Sequence, residues 1–225
     1  MLTHIHLDHA GAAGSLVERF PELEVYVHEV GAPHLADPSR LLKSAGQLYG
    51  ERMEELWGEV LPVPERNLRP LSGEEELPDG VRVVYTPGHA SHHVAYLAPN
   101  GAAYVGDVAG VRIPPSDFVL MPTPPPDIDL ELWEESIARV AAERPGALGL
   151  THFGAVDDAE AHLSRAQAAL RDGVEEARMG DPARFVAALR ERVGAQVGPD
   201  EAARYEQVAP ADQLYLGLER YLSTR

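Results

Sequence analysis

Thr3-His4-Ile5-His6-Leu7-Asp8-His9 is the stretch from which the rest of this chain is best read. His4 and His6 are two residues apart. On an extended backbone both side chains then point the same way, and two imidazoles can converge on one ion. Asp8 and His9 follow one step later, where the chain turns into Ala10 to Phe20, a segment whose Leu16 and Phe20 are four apart and which reads as a helix. The turn aims Asp8 and His9 in another direction, toward a second ion close to the first. Four potential ligands in so short a segment is denser than a solvated polar loop requires.

Three later segments repeat one device, a short strand whose end presents a ligand, twice after a breaker. Val81, Val83 and Tyr85 alternate with Arg82, Val84 and Thr86, and the run stops at Pro87-Gly88 before His89. Tyr104-Val105-Gly106 ends in Asp107, and Leu150-Thr151 ends in His152. Each signal is weak alone, but in this order they reinforce one another. The chain has no cysteine, which excludes disulfides, thiolate metal sites and cysteine nucleophiles. Any metal here is held by nitrogen and oxygen.

The intervening sequence alternates helices and strands. Glu24 to His28 reads as a strand, Ser39 to Trp57 as a helix weakened by Gly46 and Gly50, and Val60 to Pro70 as irregular. Val94 to Ala98 and Ala102 to Val105 form a hairpin around Pro99-Asn100-Gly101. Prolines at 114, 115, 122 and 124–126 predict a stiff loop, and Asp129 is placed to cap a helix from Leu130 to Ala142. After the strand Ala147 to Thr151 the chain reads as helical near 158–179, 182–194 and 210–223. The mixed order predicts an α/β layered sandwich.

The series His-x-His-x-Asp-His, Pro-Gly-His, Gly-Asp and a last strand-end His resembles the metallo-β-lactamase superfamily over roughly residues 1–155. The longer strings TPGHASHH (86–93) and GDVAG (106–110), with the proline-rich loop before a helix, resemble glyoxalase-II-like hydrolases. The resemblance implies a four-layer αββα sandwich over residues 1–156, followed by a C-terminal helical region over 157–225. It implies that His4, His6 and His89 bind one metal, that Asp8, His9 and His152 bind a second, and that Asp107 bridges them. Two divalent ions are expected, zinc first, with iron or manganese as alternatives that suit the same hard donors. The family normally places several strands before its first motif, whereas only Met1-Leu2-Thr3 precedes His4. The expectation is a fragment of a longer chain, or an incomplete first sheet.

The implied chemistry is attack of a metal-bound hydroxide on a small ester, thioester or lactone, with Asp8 holding the nucleophile and passing a proton to the leaving group. Two rivals stand beside it. Persulfide dioxygenases resemble this family and use one iron, a pattern His4, His89 and Asp107 could supply. A non-catalytic remnant is the other.

A formal charge of −17 disfavours nucleic acid as a partner, and the acidic runs Glu51 to Glu59 and Asp157 to Glu176 read as solvated helix faces. No apolar run is long enough to span a bilayer, and the first residues do not read as a signal peptide, so a cytoplasmic location is expected. A small-molecule substrate is expected, without nucleic-acid or membrane partners. The C-terminal stripes Leu163, Ala166, Leu170 and Leu214, Leu218, Leu222 predict helices that cover the sandwich or form a homodimer contact. Of the remaining histidines, His93 reads as supporting the site or facing substrate and His92 as facing away. His28 and His34 read as surface or capping residues and His162 as solvated. Trp57 and Trp133 read as core residues.

Overall fold

In the computed structural model, which describes residues 1–224, two sheets are packed face to face with helices outside both. The first sheet pairs β1 (Val25–His28) with β2 (Leu68–Leu71) in parallel, with Val25 opposite Leu68. A parallel pair needs a crossover. Here α3 (Ala32–Ala36), α4 (Ser39–Tyr49), a 3₁₀ turn at Gly50–Arg52 and α5 (Met53–Trp57) supply it. Before them come α1 (Leu7–Ala10) and α2 (Ala13–Arg19), where the sequence suggested a single helix from Ala10 to Phe20. Leu16 and Phe20 are exposed.

The second sheet has the order β3 (Arg82–Tyr85), β4 (Val94–Leu97), β5 (Ala102–Gly106), β6 (Ala147–Leu150) and β7 (Gly154–Val156). Its pairs are antiparallel except β5–β6, whose parallel crossover is α6 (Leu130–Ala142). Asp129 caps α6 as expected, its carboxylate accepting from Leu132 N–H at 3.1 Å. The backbone before His4 joins the two sheets. Leu2 N–H donates to Tyr26 O at 2.8 Å, and Thr3 O accepts from Val94 N–H at 2.8 Å.

Three apolar clusters fill the layers. Ala13, Val17 and Leu35 pack under β1 and β2 with Val25 and Val27. Leu71, Val83, Val94 and Tyr96 fill the space between the sheets. The largest cluster covers the other face of the second sheet, where Val105 and Leu148 meet Trp133 and Ile137 of α6. It continues without a break into α7 (Ala159–Arg178), α8 (Pro182–Val197), α9 (Pro199–Val208) and α10 (Ala211–Ser223). Leu163, Ala166, Leu170, Leu214 and Leu218 are buried there as their spacing predicts. Side-chain bonds reinforce the contact. Tyr205 Oη accepts from Ile113 N–H at 2.9 Å, and Thr123 Oγ1 donates to Leu214 O at 2.9 Å. At Gly217, α10 comes so close to Thr123 that a Cβ would lie 1.9 Å from its carbonyl oxygen.

Several local expectations are corrected. The proline-punctuated stretch Val60 to Pro70 contains most of β2, because pairing with β1 outweighs local propensity. Pro70 is tolerated because β2 lies at an edge of its sheet. Two elements, β7 and α9, carried no strong local signal, the first being three mostly exposed residues. Trp57 is half-buried, while Trp133 is fully buried. His28 is buried between the sheets, stacked on Tyr85 with ring centroids 4.5 Å apart, and its Nδ1 accepts from Val30 N–H. His162 is buried too, and its Nε2–H donates to Ala109 O at 2.9 Å.

Candidate metal centre

His6 has an extended backbone (φ −57°, ψ 150°) just before α1 begins at Leu7. The i, i+2 geometry therefore holds, and both imidazoles face the same space. Loops after β3, β5 and β6 deliver His89, Asp107 and His152 to it. His6 Nδ1 lies 3.0 Å from His4 Nε2 and 3.1 Å from His89 Nε2. A second group lies beside this trio. Asp8 Oδ2 is 3.0 Å from His9 Nε2 and 3.4 Å from His152 Nε2. Asp107 stands between the groups. Its Oδ2 is 3.4 Å from both His89 Nε2 and His9 Nε2, and its Oδ1 is 3.6 Å from His152 Nε2. All seven residues singled out by sequence are thus brought together.

The protonation pattern of His4, His6 and His89 suits a cation. Pro122 O can only accept, so its 3.0 Å contact with His89 Nδ1 fixes the proton there and leaves the Nε2 lone pair facing the cluster. Burial holds His4 and His6 below the ordinary histidine range and pushes His89 down to about 3. Neutral imidazole is the form that ligates a metal. Burial alone would raise Asp8 and Asp107, but the close approach of the histidines outweighs it, of His152 and His9 at Asp8 and of His9 at Asp107. Both carboxylates are held well below their usual range. Burial likewise opposes a charge on His9, yet Asp107 and Asp8 raise it to about 10. Even so, buried His9 Nε2 and Asp107 Oδ1 have no hydrogen-bond partner. A cavity that gathers lone pairs of nitrogen and oxygen and leaves polar atoms unsatisfied fits divalent cations.

His92 and His93 are supports. His93 Nε2 accepts from Asp107 N–H at 3.2 Å, and its Nδ1–H therefore donates to Thr86 Oγ1 at 2.7 Å. Gly106 makes this possible, since at φ +53° a Cβ there would lie 2.4 Å from that same Nε2. His92 does not face away as expected. It is buried, and its Nδ1 accepts from Ile5 N–H at 3.4 Å, behind the backbone that carries His4 and His6. Sequence reasoning missed two further supports, the Pro122 carbonyl and Ser136, whose Oγ donates to Pro87 O at 2.6 Å. No local signal marks a carbonyl as a partner.

The model of the metallo-beta-lactamase superfamily matches residues 1–152, which contain all seven clustered residues. The chain belongs to the metallo-beta-lactamase superfamily. It is 31% identical over 173 residues to the metallo-beta-lactamase fold-containing protein ST1585 of Sulfurisphaera tokodaii, a match covering 73% of this chain and 64% of that protein. It is 33% identical over 112 residues to the probable metallo-hydrolase YqgX of Bacillus subtilis, covering 48% of this chain and 47% of that one. The chain thus spans less than two thirds of these relatives. The ST1585 crystal structure superposes with a TM-score of 0.70 at 24% identity, over 98% of this chain and 78% of that chain. TTHA1429 of Thermus thermophilus, a metallo-beta-lactamase family protein, gives 0.64 at 22% identity, over 99% and 73%. Superfamily membership implies divalent metal binding, and the candidate ligand groups among the described residues are His4/His6/His89, His4/His9/Asp107 and Asp8/His9/His152. No helix among the described residues is long and apolar enough to cross a membrane.

Proposed function

We propose that this superfamily member is a hydrolase of a small ester, thioester or lactone that works with two divalent cations, zinc by preference. His4, His6 and His89 would hold one, Asp8, His9 and His152 the other, and Asp107 would be shared. The observation that carries the reading is the position of Asp107, within 3.4–3.6 Å of imidazoles from both groups. Bound there, divalent cations would supply Lewis acidity, polarising a carbonyl oxygen and lowering the pKa of water toward about 7. The chain's own residues do the rest. Asp8 is ionised at neutral pH and partly exposed on the wall of the cavity, where it accepts the proton of an attacking water and returns it to the leaving group. His93 accepts from the Asp107 backbone N–H and so holds the loop that carries the carboxylate. Pro122 holds the ring of His89 in one tautomer.

The test is elemental analysis of protein purified without chelator and reloaded in turn with zinc, iron and manganese, followed by assays on 4-nitrophenyl acetate, a thioester and a γ-lactone. Two metals per chain and hydrolysis of at least one substrate are expected. One iron per chain with persulfide-dependent oxygen uptake would replace the reading with the dioxygenase. Absence of metal after all three loadings would leave only the remnant.

A further inference from the structure

The helix α4 is amphipathic, yet it buries no residue in the protein. Leu41, Ala45 and Leu48 recur at the spacing of one helical face, with Arg40, Lys43 and Gln47 exposed around them. Each longer helix, from α6 and α7 to α8 and α10, drives its apolar stripe into the core. The stripe of α4 instead stays half-exposed and forms one wall of a cavity of about 330 Å³. The floor of that cavity includes His6, Asp8, His89, Asp107 and His152. Tyr49, the last residue of the same helix, sits at the metal end, where its pKa is raised by burial and then by Asp8. The opposite wall is apolar as well, made by Pro124 in the proline-rich loop and Leu214 of α10.

An apolar helix face held open to water is costly unless something covers it. Its continuity with the ligand cluster says what does. Beyond the proposed ligands and the other histidines, the charged lining residues are Arg40 and Asp127. Both are exposed at the rim, and their charges are opposite. The walls therefore offer apolar area and no net fixed charge. A cavity of this size is at the small end of the roughly 300–1,000 Å³ typical of small-molecule sites.

We infer that α4 and the wall of Pro124 and Leu214 form an acyl-binding slot that selects substrates with an uncharged apolar acyl chain. Leu41, Ala45 and Leu48 are then the residues that set chain-length preference. This rests on the hydrolase reading of the same site. Each methylene buried against the slot is expected to raise kcat/KM by roughly fourfold until the slot is filled, the factor that corresponds to about 0.8 kcal/mol.

The test uses the metal-loaded chain and two homologous series from two to eight carbons. The first series is 4-nitrophenyl esters, read as kcat/KM. The second is 4-nitrophenyl alkyl ethers, which cannot be hydrolysed and are read as Kd by calorimetry. Both series should rise in specificity or affinity with chain length. Leu48→Asp should cut the hexanoate-to-acetate ratio of kcat/KM at least about tenfold, with a matching loss of hexyl-ether affinity. Lys43→Asp, on the outer face of α4, should leave both ratios unchanged. Ether affinity that is flat with chain length, or that falls equally in the two variants, would overturn the slot. If no ester is turned over but ether affinity still climbs and collapses in Leu48→Asp, the hydrolase reading fails while the apolar slot stands.

Discussion

The two ligand groups are assembled by opposite means. His4, His6 and His89 are neutral and mostly buried, and their partners or neighbours include Thr3, Pro122 and the His92 bond to Ile5. Asp8, His9 and His152 form a charge-paired cluster at the start of α1 and in the loop after β6. Asp8 and His152 have side chains 39% and 26% exposed, against 0% for His4 and 1% for His89. Burial thus preorganises the first group, while water screens the second and competes with it. Of the two cations proposed, the one at the first group is expected to be held more tightly. Asp107 belongs to both groups and couples them.

The largest break in this comparison is Asp107→Ala, which removes the shared ligand. Activity should fall by several kcal/mol of transition-state stabilisation, on the order of 10³-fold. Metal content should drop below that of either single-group variant. In the same series, His152→Ala should lose one ion and retain the other, whereas His89→Ala should lose the tight one. Elemental analysis after dialysis against graded zinc buffers reads both. Equal metal affinity in His89→Ala and His152→Ala would abolish the distinction drawn above.

Acid and alkali should expose the same contrast in metal-free protein. His89, His92 and His93 are pushed to about 3, chiefly by burial. The stability they provide as neutral rings is present above the unfolded value near 6.5 and is withdrawn as pH falls toward about 3. His9 runs the other way. Raised to about 10, it contributes fully below about 6.5 and loses its contribution as pH rises through about 10. Thermal melting of chelator-treated protein between pH 3 and 11 should therefore trace a dome. Asp8→Asn should soften its alkaline limb and leave the acid limb in place above about pH 4, below which the depressed Asp8 carboxylate contributes too. A dome whose two limbs shift together would contradict the separation.

The smallest effect is expected at His162, outside both groups. Its ring donates to Ala109, two residues beyond Asp107, from the first turns of α7. His162→Ala strands a buried carbonyl and should cost about 1–3 kcal/mol of stability in denaturant melts. Metal stoichiometry should be unchanged.

How much of this was legible in the sequence depends on whether the signal was local. The seven clustered residues announce themselves because each stands in a short motif with its own spacing or breaker. The layered fold follows from alternating strands and amphipathic helices, and the cap at Asp129 from the residue preceding an apolar run. His162 misleads because its neighbours Glu160 and Arg165 are polar, and only tertiary packing shows that the ring points at the Asp107 loop. His28 misleads for the same reason, as its partner Tyr85 lies in the other sheet. The strand Leu68–Leu71 is hidden by Pro70 and is specified by β1. What escapes a linear reading is a structure that becomes favourable only when a distant partner arrives.

The close approach of α10 to the proline-rich loop extends that lesson. Gly217 lets the helix backbone lie against the carbonyl of Thr123, and the Thr123 hydroxyl ties back to Leu214. The residue before it, Pro122, turns its carbonyl onto His89 and thereby decides which nitrogen of that ring carries the proton. A helix near the far end of the chain is in this sense part of the acid–base wiring of the His89 imidazole, by way of Thr123 and Pro122. A methyl group added at Gly217, on the buried face of α10, would displace that loop and with it the carbonyl that sets the electronic state of His89.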